Sequence, residues 1–191
     1  SFGANQLAME PEKMLIDGYE SNVDVYSVIK KIIDTGKVIP RILERNVGGE
    51  WVKVEETNTL TDLMMNPNPL KNMTWIDFIE QLTLYLNASG NGMALGIIPE
   101  GFRTIEQLDV LPTGNVEINA TGSFSNPMAT YCMQFNGTKT IYTQEEIGHV
   151  KMFNPVYCDL DSMLWGLSPI QVARQVVEVG NDRWDANASI F

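Results

Sequence analysis

The apolar positions of this chain switch period several times. Val25, Val28, Ile29, Ile32 and Ile33 recur at helical spacing from Asp24, with Asp24 or Asn22 able to cap the start and Gly36 suited to the stop. In "VIPRILERNVGGEWVKVEE", two β-rich runs flank Gly48-Gly49, which predicts a hairpin whose turn needs positive φ; Pro40 belongs at a sheet edge. "NTLTDLMMN" reads as a short helix ended by Pro67 and Pro69. Thr74 opens the strongest helical pattern, with Asp77 as capping-box partner and Trp75, Ile76, Phe78, Ile79, Leu82 and Leu86 running to Gly90. Its broad apolar arc predicts burial over much of the helix surface.

Six short β-rich runs follow: "MALGII", "IEQLDVLP", "NVEINA", "ATYCMQF", "KTIYT" and "IGHVKMF", several separated by turn signals at Gly114, Gly122 and Asn136-Gly137. They predict an α+β fold, an antiparallel mixed sheet of short strands packed with amphipathic helices. Ser168 as N-cap and Pro169 at the first helical position start a last helix, whose stripe continues through Val172, Ala173, Val176 and Val177. Unbroken to Phe191 it would run about 36 Å. Residues 1–21 show no clear period and read as an arm, 22–167 as an α+β body, and 168–191 as the start of a long helix. The apolar ending at Ile190-Phe191 reads as a fragment of a longer protein.

Charge narrows the function classes. The 191 residues carry 13 basic and 24 acidic side chains, net −11, with a pI near 4.4. Such a chain is not expected to grip DNA by itself, although DNA can pass an acidic surface loosely. No apolar run is long enough to span a membrane, and the N-terminal residues lack a signal-peptide pattern. The sequons at Asn72, Asn87, Asn119, Asn136 and Asn187 then carry no meaning, and Cys132 and Cys158 read as reduced, buried thiols.

Catalytic readings are weak. The one histidine, His149, sits in an alternating strand and fits a structural or surface role. "GNGMALG" follows a helix and enters a strand, the reverse of a phosphate-binding loop, so its glycines read as a helix cap and close packing. "GLSPI" lacks the second glycine of a nucleophile elbow. Asp159 and Asp161 are too few for a hard-cation site and read as an exposed acidic loop, as Glu145 and Glu146 read as a solvated turn. The expectation is no enzyme, no cofactor and no metal.

"LMMNPNPLKNMTWIDFIEQLTLYLNASGNGMALGII" resembles the tailed-bacteriophage portal protein family, in its turn Asn66, Pro67, Asn68, Pro69, its Trp75-led helix and its Gly90-Asn91 element entering a strand. "IEQLDVLPTGNVEI", "EEIGHVKMFNP" (His149, Asn154, Pro155) and "WGLSPIQVARQVV" (Gly166, Leu167, Ser168, Pro169) match further family blocks in the same order. Gly92-Met93 departs from the family's residues after "GN". The resemblance spans about residues 22–191, the N-terminal wing-like portion.

It implies a structural subunit, about a dozen copies of which form a ring at the capsid vertex. The ring is the conduit for DNA packaging and ejection and the platform for head-tail connection. Implied partners are the major capsid protein, terminase and head-tail adaptors, with DNA passing without sequence-specific binding and no membrane. The implied location is the virion, preceded by host cytoplasm during assembly. The apolar side of the last helix, Val176, Val177 and Trp184, is the expected subunit interface. The competing reading is a soluble α+β protein- or peptide-binding module using a sheet edge or an aromatic patch such as Trp51, Trp165 and Trp184.

Overall fold

A computed structural model describes Glu12 and residues 14–173. The protein is α+β. Met14–Glu20, within the segment read as an arm, forms a π-helical turn whose Leu15 and Tyr19 pack on the core. Helix α1 (Val23–Gly36) starts at Asn22, not Asp24: the Asn22 side chain accepts the N–H groups of Asp24 and Val25, each at 3.1 Å. Of its apolar stripe only Ile29 and Ile33 are buried, while Val28 and Ile32 face outward.

Strands β1 (Glu44–Val47) and β2 (Glu50–Lys53) form the Gly48-Gly49 hairpin, with φ of +64° and +98° at the two glycines. All eight strand residues are exposed. Pro40 precedes β1 instead of lying in it. Helix α2 (Thr59–Met65) is capped by Asn58. The turn after it is tied inward rather than loose: the Pro67 carbonyl accepts the Leu108 N–H at 2.7 Å, and Met73 N–H reaches the Asn68 carbonyl at 3.0 Å. Helix α3 (Trp75–Ser89) has the Thr74–Asp77 capping box and ends at left-handed Gly90, φ +77°.

The six predicted strands all form, as β3 (Asn91–Ile97), β4 (Gln107–Leu111), β5 (Val116–Ser123), β6 (Asn126–Phe135), β7 (Thr138–Thr143) and β8 (Ile147–Lys151). They do not form one sheet. They divide into two antiparallel three-stranded sheets, β4-β3-β8 and β5-β6-β7. The division falls at Pro112 and the tight 3-10 turn Thr113–Asn115, which redirects the chain between β4 and β5.

The result is layered. Met93, Leu95, Leu111 and Ile147 of the first sheet share a core with Val116, Ile118, Ala129 and Tyr131 of the second. The other face of β3 meets α3, where a Cβ on Gly92 would stand 3.0 Å from the Leu82 side chain. The glycine is what allows α3 to lie so close. Short helices α4 (Leu160–Leu164) and α5 (Pro169–Val172) follow, and Ile170 joins Ile29, Ile33 and Ala88 in a second core cluster. The long continuation of α5 expected from the sequence lies outside the described residues.

Candidate functional site

Three distant stretches, residues 88–91, 149–152 and 166–168, meet at the junction of α3 with β3. Helix α3 delivers Gly90, whose left-handed backbone turns the chain into the sheet and whose carbonyl accepts the Met152 N–H at 2.9 Å. Asn91, 1% exposed, is the hub. Its Nδ2 donates to the Ser89 carbonyl at 2.8 Å, and its Oδ1 accepts the Gly166 N–H at 2.7 Å. The same oxygen lies 3.1 Å from His149 Nε2, across the β3–β8 ladder.

This geometry fixes the tautomer. An amide oxygen only accepts, so Nε2 carries the proton and Nδ1 accepts from the Tyr131 hydroxyl at 3.1 Å. Burial, aided by the nearby Lys151 cation, lowers the His149 pKa to about 4. The imidazole is therefore neutral near pH 7 with both nitrogens engaged. Ser168 completes the junction: its hydroxyl donates to the Ala88 carbonyl at 2.6 Å while accepting the Ile170 and Gln171 N–H groups at the head of α5. The backbones touch, since a Cβ on Gly166 would fall 2.1 Å from the Gly90 oxygen.

Chemically this is a clamp. Its polar atoms are spent on one another, the two His149 nitrogens on Asn91 and Tyr131. Among the described residues no group of His, Cys, Asp and Glu could hold a metal ion. Asp159 caps α4, Asp161 accepts the Ala120 N–H at 2.6 Å, and Glu146 accepts the Thr143 N–H at 2.8 Å. Both cysteines are free, but Cys158 is exposed rather than buried, because it lies in the surface loop before α4.

The sequence-predicted residues thus fall into separate places. Gly90, Asn91, His149, Gly166, Leu167 and Ser168 converge, and Pro169 begins α5 beside them. Asn66, Pro67, Asn68 and Pro69 lie with Trp75 at the opposite end of α3, where the indole stacks on Phe78 and Arg41 stands 5.8 Å above it. Asn154 and Pro155 lie in the loop after β8, where Asn154 accepts the Val156 N–H at 3.1 Å. Val176, Val177 and Trp184 lie outside the described residues. Tyr131 was missed by the sequence reading; its inward place in β6, alternating with Ala129, was the available signal.

The sequence profile of the phage portal protein family matches residues 24–191. The chain belongs to the phage portal protein family. Among solved structures, this portal family chain is similar to a chain in the neck of an empty GTA particle computed with C6 symmetry, at TM-score 0.77 and 21% identity over 96% of this chain and 46% of that one. A chain in the virion of a native gene transfer agent particle gives 0.75 and 20%, over 96% and 45%. One in the neck of a native GTA particle computed with C12 symmetry gives 0.69 and 20%, over 95% and 44%. This portal chain spans a little under half the length of those neighbours. No curated protein matches it significantly.

Proposed function

We propose that the chain acts as a structural subunit of a portal ring at the vertex of a phage-like capsid, without enzymatic activity. The family match over residues 24–191 carries this reading. The fold shared with particle-neck chains at TM-score 0.77 supports it. A domain of this size cannot enclose a duplex, so a conduit requires copies joined head to tail until rotation closes them, about twelve by analogy with the C12 neck. The acidic balance suits a passage that does not hold its cargo, since basic linings bind duplex phosphates.

In this reading the ring resides in the virion after assembly in the host cytoplasm. Capsid protein, terminase and head-tail adaptors are its partners. The Asn91 clamp serves as a scaffold joint, keeping the helical layer and the two sheets in fixed register. Negative-stain electron microscopy of the full-length protein tests the proposal. Rings with a central hole are expected; a monodisperse monomer at high concentration and physiological salt overturns it.

A further inference from the structure

The chain meets the second sheet before it enters the helical layer. Gly18 lies so close to α5 that a Cβ there would stand 2.6 Å from the Ile170 side chain, and Leu15 and Tyr19 pack on the second core cluster. A few residues earlier, Glu12 lies against the turn Thr113–Asn115, where a Cβ on Gly114 would stand 3.1 Å from the Glu12 Cα. Glycine at 114 lets the two backbones approach that closely. Followed backwards, the chain thus crosses from the helices to the start of β5, where Glu12 forms one wall of a groove on sheet β5-β6-β7.

That groove, about 470 Å³, is bounded chiefly by Glu12, Gly114, Glu117, Cys132, Gln134 and Lys139. Strand register explains its floor. Glu117, Cys132 and Ile141 stand in one row across the three strands, and Gln134 and Lys139 in the next row on the same face. The intervening row, Ile118, Tyr131 and Tyr142, faces the shared core, so the groove lies on the opposite, outer face. There Ile141 keeps 68% of its surface and Met128 57%.

The chain leading into the groove supplies its occupant. Residues 1–11 precede Glu12 and so start at the groove wall. Fully extended they span about 36–40 Å, and wound as a helix about 16 Å; three strands are about 10 Å across. Reach suffices in either form. "SFGANQLAMEP" carries one charged side chain, Glu10, against the large apolar Phe2, Leu7 and Met9. Such a segment gains more from burial than a charged tail does. Charge sets the side on which it lies. Glu12 and Glu117 disfavour Glu10 near β5, whereas Lys139 on β7 forms no ion pair among the described residues.

We propose that the outer face of sheet β5-β6-β7 is the docking site for this chain's own residues 1–11, with Glu10 towards Lys139 and Leu7 and Met9 seated on Cys132 and Ile141. The order fits the path: the Gln134–Lys139 row lies at the Gly114 end of the sheet, and the Cys132–Ile141 row comes next. Docked in this way, residues 1–20 staple the second sheet to the helical layer. The seat lies within one copy, so it stands or falls independently of the ring.

Cys132 is the built-in reporter, and the exposed Cys158 is its internal control. Full-length protein is treated with iodoacetamide, and alkylation of each cysteine is followed by mass spectrometry. Cys132 should react more slowly than Cys158. The L7D/M9D double variant should raise the Cys132 rate about tenfold, with the Cys158 rate and the circular dichroism spectrum unchanged. Equal Cys132 rates in the two proteins overturn the proposal. The second arm keeps the segment close to native: full-length protein carrying Leu7→p-benzoylphenylalanine is irradiated and its adducts are mapped. Adducts within 132–141 of the same polypeptide are expected. Adducts elsewhere in the chain, or none, overturn the proposal. Adducts joining two polypeptides at 132–141 also overturn it, by giving the groove to a neighbouring copy's segment.

Discussion

At Asn91 one side chain answers for groups on three segments. Removing it leaves the Gly166 N–H, the Ser89 carbonyl and His149 Nε2 without their partner in a place water does not readily reach. Each stranded buried group costs about 1–3 kcal/mol, so Asn91→Ala should lower stability by about 3 kcal/mol or more in urea denaturation. Gly166→Ala should cost as much, because its Cβ would meet the Gly90 oxygen at 2.1 Å. Gly137→Ala is the contrast: open space surrounds it and only its φ of +76° resists, for about 1 kcal/mol. His149 makes the clamp acid-sensitive. Its pKa is about 4 folded against 6.5 for the free side chain, so between those values the unfolded chain binds more protons. Its contribution is intact above pH 6.5 and is lost as pH falls through about 4, a change on the order of 3 kcal/mol. Urea midpoints at pH 7 and pH 4.5 should show this decline, and H149Q should flatten it across that window.

Elements differ in how much their ends matter. Thr74 caps α3 at the surface, and Thr74→Ala should cost about 1 kcal/mol. Ser168 caps only a short helix, yet its buried hydroxyl also holds the Ala88 carbonyl, so Ser168→Ala should cost about twice as much. Paired urea titrations of the two variants check the order. The elements themselves were legible because their signals are local: the Thr74–Asp77 box, Gly48-Gly49, Asn136-Gly137 and Ser168-Pro169 each act within a few residues. Sheet partition was not legible. β3 takes one neighbour soon after it in sequence and the other, β8, some fifty residues later, and no local pattern says which strand returns. Val28 and Ile32 kept a perfect helical period yet remain exposed, because periodicity marks a face without saying what covers it. The Asn91–His149–Tyr131 chain escaped for the same reason, since its members share no sequence spacing.

On the scale of the whole molecule the two sheets share one core, whereas the hairpin stands apart from it. Hydrogen exchange on unassembled protein should therefore find β3 and β6 amides opening together with the highest protection, and residues 44–53 exchanging early. The Gly90–Gly166 contact has a different kind of consequence, one of timing. It joins backbone segments about seventy-five residues apart, so the loop between them must be ordered before the contact returns any stabilisation. During synthesis the hairpin and the helical capping boxes can form as soon as their residues emerge. Asn91 must wait for residue 166, and Ala88 for residue 168. The junction that gives the body its final rigidity is therefore among the last to close, and a nascent chain stopped short of Ser168 would have most of its elements without the latch that joins them.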